Sequence, residues 1–399
     1  MLQNIYLDNN ATTKPAPEVI EAILPFLTEQ YGNPSSIHSF GGKIGKHIDH
    51  ARNQIMELFG ADYPYEIVFT GTGTESDNTA IMGILQYYKE KRHIITSRVE
   101  HPAILSLYKK LERDGYRTTY IGVDRDGNLD LDELKDSVDD DTAIVSIMYA
   151  NNETGVLFPV NEIGQFLKSK GVPFHVDAVQ AVGKVPIKVN EINCDLLSIS
   201  GHKFHATKGI GALYVRRGTR MRPILFGGHQ EKERRPGTEN VPGIVGIGKA
   251  AELAVSHLDH LNEMKRLRDK LETEILKNFK NSHLNGSKIN RVPNTANIGF
   301  EFIEGEAILL YMDEKGVSAS SGSACSSGSL EPSHVLRAMG VPFTSAHGSI
   351  RFSLSRYTTE EEIDYTLKIL PDVVNPLLEI SPYWDNEKQQ GVPISPEVL

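Results

Sequence analysis

The chain has 399 residues, of which 39% are hydrophobic and 24% charged, a length beyond one ordinary domain and a composition that disfavours disorder. Its formal net charge of −10, with no clustered basic stretch, argues against nucleic acid or an acidic membrane surface as the main partner. With only two cysteines, Cys194 and Cys325, a disulfide framework is excluded and a reducing, cytoplasmic setting is expected.

In chain order, MLQNIYLDNNATT carries no basic stretch followed by an apolar run, and no later segment reaches the about 18 apolar residues of a membrane span. Export and membrane insertion are therefore not expected. Short β-branched runs then alternate with longer amphipathic stretches: EIVFT before SDNTAIMGILQYYKEK, HIITS before HPAILSLYKKLERDG, and after these TTYIGV, TAIVSIMYA, PFHVDA and DLLSIS. Runs apolar on both faces, joined by helical crossovers, predict an α/β domain with a mostly parallel sheet covered by helices. After about residue 245 a long proline-free stretch, IVGIGKAAELAVSHLDHLNEMKRLRDKLETEILKNF, predicts one or two helices bridging to a smaller α+β lobe. That lobe is marked by TANIGF, GEAILLYMDEKG, SIRFSL and a helix opening on a Thr cap in TTEEEIDYTLKIL. From Ser381 the sequence is polar, punctuated by proline and expected to be exposed.

Several residues carry chemistry. EIVFTGTGTESDNTA reads as strand, glycine-rich turn and helix, so that Gly73, Thr74 and Ser76 are candidates for binding a phosphate, against the plainer reading of an N-cap. The segment has neither the Lys-Ser/Thr of a Walker loop nor a third glycine, which weakens both nucleotide readings. HVDAVQ ends a strand with Asp177 and Gln180, and the next strand runs into SGHKFHATKG with His202 and Lys203. Ligands collect at the carboxyl ends of parallel strands. A carboxylate and an amine there suit pyridoxal phosphate, which needs an anion at its ring nitrogen and a lysine at its aldehyde; Lys208 competes with Lys203 for that part. Cys325, among serines and glycines in SSGSACSSGS, reads as an exposed thiol or as a tolerated loop residue, whereas Cys194 reads as buried. His101 is placed to stack on a planar ring or move protons, and Arg351, if it faces inward, to grip a carboxylate. The 14 histidines and two cysteines show no paired metal-ligand spacing, and no metal site is expected.

Taken together and in order, YLDNNATT, YGNPSS, the TES turn, VEHPA, ANNETG, HVDAVQ, SGHKFH, RRPGTEN, SSGSACSSGSLEPSHVLRA and SIRFSLSR resemble the class V aminotransferase-like pyridoxal enzymes, most closely cysteine desulfurases of the NifS/IscS type. The resemblance runs nearly end to end. It implies a fold-type I enzyme with a large domain over 15–258, a small domain from 1–14 and 259–380 carrying the Cys325 loop, and a tail over 381–399. It also implies pyridoxal 5'-phosphate on Lys203, Asp177 at the ring nitrogen, Gln180 beside the ring hydroxyl and His101 stacked on the ring. Gly73, Thr74, Ser200 and His202 would hold the phosphate, with Thr238 reaching it from the second subunit of a homodimer. Asn152 and Arg351 would place L-cysteine, and Cys325 would take its sulfur as a persulfide for an iron-sulfur scaffold, nitrogenase maturation or a tRNA-thiolation relay. Two departures from the resemblance are Gly73, where relatives often carry alanine or another small residue, a change that a backbone N–H contact tolerates, and Ala206-Thr207, where Gly-Pro is expected. Alternatives are a selenocysteine lyase, a transaminase and a non-catalytic sulfur-assembly subunit.

Overall fold

A computed structural model describes residues 4–256, 260–321, 332–385, 387 and 390–391. Its central sheet has seven strands in the order Ile67–Thr70, Gly211–Val215, Leu196–Ser200, Phe174–Asp177, Thr142–Met148, His93–Ser97, Arg117–Ile121. The last five run parallel, while Gly211–Val215 is antiparallel to both its neighbours. Six of these strands match runs singled out in the sequence; GALYV at 211–215 is the added one, and makes the sheet mixed at one edge. Covering helices on both faces explain why strands such as Thr142–Met148 and Leu196–Ser200 are buried at every position.

The parallel pairing of Phe174–Asp177 with Leu196–Ser200, with Asp177 opposite Ser198, matters most for function. It brings two strand ends side by side at the same edge of the sheet. Across from them lies a second, antiparallel sheet of Ser320–Ser321, Ser349–Ser353, Thr295–Phe300 and Ser282–Asn285. Its core contains Ile5 and Leu7 from the start of the chain, together with residues between Met264 and Leu378. The long stretch after residue 245 forms two helices, Val241–Ser256 and His260–Asn278, and Thr359 caps the helix Glu360–Glu379 in a capping box with Glu362.

The tail is less free than expected. Trp384–Asp385 pairs with Gln390–Gly391, and the Trp384 ring lies 5.6 Å from that of Phe302, so an indole that the polar composition concealed finds an aromatic partner. No helix among the described residues is long and apolar enough to cross a membrane.

Candidate active site

A cleft of about 470 Å³ lies at the carboxyl ends of the parallel strands, open to both sheets. Gly73, Thr74, His101, Asn152, Asp177, Gln180, Ser200, His202, Lys203 and Arg351 all line it. These residues lie up to 278 positions apart in the chain, between Gly73 and Arg351, and only the tertiary fold unites them.

At one wall the Gly73–Tyr87 helix begins. Thr72 caps it by accepting from the Glu75 amide at 3.0 Å, leaving the first-turn amides of Gly73 and Thr74 facing the cleft without a helical acceptor. Ser76 does not join them: it is fully buried, and its hydroxyl lies 2.7 Å from that of Thr70. Gly73 is also tighter than the sequence implied. A Cβ there would come within 2.9 Å of Val179 Cγ2 and 3.1 Å of Ser200 Cβ, so a larger residue must push the cleft wall aside.

From the neighbouring strand ends come the acid and the amine. Asp177 Oδ1 accepts from the Val179 amide at 2.9 Å, and burial raises its carboxyl to about 6 while the nearby Lys203 opposes that rise. Lys203 Nζ donates to the carbonyls of Asn10 at 2.6 Å and Ala11 at 2.9 Å. Lys208, its competitor, is exposed and lies away from the cleft. The chain turns tightly after Lys203: the Ala206 amide returns to the Gly201 carbonyl at 3.1 Å. His205 takes a left-handed φ of 73°, held by Thr13 Oγ1 at 2.7 Å and by the Lys14 carbonyl at 2.9 Å from its Nδ1.

His101 caps the Pro102–Arg113 helix, its Nδ1 accepting from the Ala103 amide at 3.1 Å. Burial, then Lys203, lowers it to about 4. At neutral pH the ring is therefore uncharged, with its proton on Nε2. His202 is lowered to about 4 by the same two causes and meets Thr12 Oγ1 at 3.1 Å.

On the opposite wall Arg351 donates from Nη2 to Asp8 Oδ1 at 2.7 Å and from Nη1 to the Asn152 carbonyl at 3.1 Å. Among the described residues, its Nε and Asn152 Oδ1 are buried with no hydrogen-bond partner. Such orphaned groups in a cleft suit a small ligand carrying a carboxylate and an amine. The helix start, the Asp177 carboxylate, the His101 ring and the Lys203 amine together suit a planar, phosphorylated, aldehyde-bearing ring.

Thr238 lines a separate depression with Gly71 and Arg235, and Cys325 lies outside the described residues. Cys194 is fully buried, and burial pushes its thiol up. Among the described residues no group of three or more His, Cys, Asp or Glu side chains is disposed to hold a metal ion.

Sequence reasoning missed several buried polar residues. Asn10 bonds to the Asn152 carbonyl, to Thr295 of the second sheet and to Lys203; Lys184 donates to Gln180 Oε1 at 2.7 Å; Glu153 accepts from Ser333 Oγ. Glu100 accepts from Ser97 Oγ and the Met148 amide, and burial lifts it to about 8, so that it stays largely protonated near neutrality. Taken singly, residues of these types read as surface groups; the signal was that Asn10, Glu100 and Glu153 fall inside the motifs YLDNNATT, VEHPA and ANNETG.

Residues 5–366 match the model of the aminotransferase class-V family. The chain is 60% identical over 384 residues to a cysteine desulfurase of Trichormus azollae and 54% identical over 384 residues to the cysteine desulfurase NifS of Azotobacter vinelandii, covering 96% of each chain in both cases. Among solved structures, a NifS-like protein superposes with a TM-score of 0.88 at 39% identity, over 94% of this chain and 100% of that one. The structure of SspA in complex with cysteine superposes with a TM-score of 0.78 at 34% identity, over 89% and 100%.

Proposed function

The chain belongs to the aminotransferase class-V family and is a cysteine desulfurase, and from that premise we propose that Lys203 carries pyridoxal 5'-phosphate and Cys325 receives the sulfur of L-cysteine as a persulfide. The observation that carries the cofactor assignment is the convergence of Asp177 and Lys203 from adjacent parallel strands on a helix start presenting the Gly73 and Thr74 amides. When bound, the pyridoxal ring supplies an electron sink that weakens the bonds at the substrate's α-carbon.

Each residue then has a defined task. Gly73, Thr74, Ser200 and His202 hold the phosphate, and Thr238 of a second copy adds to them in a homodimer. The exposed apolar side chains Leu27, Ile37 and Phe226 support such a partner, since a free monomer would leave them in water. Asp177 keeps a proton on the ring nitrogen. Gln180 turns its amide nitrogen toward the ring hydroxyl, consistent with its Nε2 contact to the Asn10 carbonyl at 2.9 Å. His101 stacks as a neutral ring. Its Nδ1 accepts from the Ala103 amide, so the neutral ring carries its proton on Nε2. Arg351 orients the substrate carboxylate, Asn152 helps place the substrate through its free Oδ1, and the Lys203 amine moves the α-proton. The Cys325 thiolate then forms an S–S bond as the substrate C–S bond breaks, and alanine leaves.

The small-lobe assignment of 1–14 with 259–380, and of 381–399 as a tail, belongs to the same proposal and is supported by the packing of Ile5 and Leu7 with residues 264–378. The persulfide passes to an iron-sulfur scaffold or another acceptor protein, with nitrogenase maturation favoured by the likeness to NifS. A cytoplasmic setting keeps the carrier thiol reduced. The test is Lys203→Ala: its visible absorbance and its alanine formation from L-cysteine should both be lost, and wild-type turnover by that variant would overturn the lysine assignment.

A further inference from the structure

Lys184 is a buried lysine that, among the described residues, has no carboxylate to balance it. It is 7% exposed, and its ammonium donates to two neutral amide oxygens, Gln180 Oε1 at 2.7 Å and Asn10 Oδ1 at 3.3 Å. A cation in that setting is costly, and burial, then Lys203, then Arg351 all push its affinity for a proton down. It does not line the cleft, so it touches no ligand there.

The arrangement has only one consistent sense of hydrogen bonding. A lysine ammonium donates and cannot accept, so it selects the oxygen of the Gln180 amide and leaves Nε2 to face the other way. Nε2 in turn donates to the Asn10 carbonyl at 2.9 Å, and that same carbonyl receives Lys203 Nζ at 2.6 Å. Flipping the Gln180 amide would set its oxygen against the Asn10 carbonyl and its NH₂ against the Lys184 ammonium, two repulsive contacts in a buried site. Asn10 is held from its other side as well, its Nδ2 donating to Thr295 Oγ1 at 2.9 Å and its Oδ1 accepting from Asn294 Nδ2 at 3.0 Å.

We propose that Lys184 is a positioning residue for Lys203: it locks the Gln180 amide and, through the Asn10 carbonyl, fixes where the reacting amine sits. The two amines also repel each other when both carry a proton. This inference rests on Lys203 carrying the cofactor.

The experiment is a pH titration of the visible absorbance of the holoenzyme, with cofactor content, kcat and melting temperature measured on the same preparations. Lys184→Met should retain cofactor, raise the titration midpoint by about one pH unit and lower kcat about tenfold. Lys184→Arg, which restores a donor-only cation, should bring the midpoint back toward wild type. A lowered melting temperature with an unmoved midpoint in Lys184→Met would mean that the residue is only structural and would overturn the proposal. If Lys184→Met does not fold, Lys184→Gln is titrated instead; it should move the midpoint the same way by less, and no movement is again contrary. Failure of the underlying reading is distinguishable, since wild-type protein would then show no visible band that Lys203→Ala abolishes.

Discussion

Lys203 Nζ lies 2.6 Å from the main-chain carbonyl oxygen of Asn10, a residue 193 positions earlier in the chain. The contact ties the lysine to a segment that also bonds to the second sheet, since the Asn10 amide donates to Ser353 Oγ at 2.9 Å; the Thr13 amide of the same segment donates to the His202 carbonyl at 2.8 Å, next to the lysine. The residues around Asn10 thus bridge the wall that carries Lys203 and the wall that carries Arg351. Catalytic geometry in this protein depends on that bridge as much as on the residues it joins.

Arg351 should account for recognition of the substrate carboxylate. Its guanidinium is already oriented by Asp8 and the Asn152 carbonyl, with Nε left over. Arg351→Ala is expected to lower kcat/KM for L-cysteine about a hundred-fold, mainly through KM, and Arg351→Lys about tenfold because the planar fork is lost. Steady-state kinetics with L-cysteine and with cysteamine, which lacks the carboxylate, provide the check. The variants should lose most of the preference for L-cysteine, and an unchanged preference would place the carboxylate elsewhere.

Gly73 should resist enlargement. With Val179 Cγ2 at 2.9 Å from a built Cβ, Gly73→Ala overpacks the wall by roughly 1–3 kcal/mol and should weaken cofactor retention about tenfold. Val179→Ala in the same protein removes the colliding methyl and should recover most of that loss. Equilibrium dialysis of the cofactor against both variants measures it, and equal retention by wild type and Gly73→Ala would show that the wall yields freely.

Much of this site was legible before any coordinates, and the reason is local. Asp177 and Lys203 each follow a run that is apolar on both faces, and parallel strands align their carboxyl ends, so the pair could be placed in one crevice from pattern alone. Gly211–Val215 was not singled out, and nothing in GALYV by itself announces an antiparallel direction. Asn10, Glu153 and Lys184 escaped because a buried polar residue is recognisable only by its partners, which for Asn10 lie at Gln180, Asn294 and Thr295. Ser76 shows the converse: its type suits a phosphate, but its hydroxyl turns into the core toward Thr70.

Glu153 supplies a pH test. Its carboxyl accepts from Ser333 Oγ, and burial raises it to about 7 while Arg351 opposes the rise. A carboxyl with a raised folded-state value contributes stability that is full below its unfolded value near 4.5 and is lost as pH rises through about 7. Glu153→Gln cannot titrate, so its stability relative to wild type should improve between pH 4.5 and pH 7, by up to about 3 kcal/mol. Denaturant unfolding of both proteins across that range reads the difference. A gap that stays constant with pH would show that Glu153 does not bind its proton more tightly in the folded protein.

The most direct test of the account follows sulfur and carbon together. Purified protein mixed with L-cysteine should release alanine while Cys325 gains the mass of one sulfur atom, read by mass spectrometry of the peptide that contains it. Cys325→Ala should keep the visible absorbance of the bound cofactor and make almost no alanine. Full alanine formation by Cys325→Ala would contradict the assignment of that thiol as the sulfur acceptor.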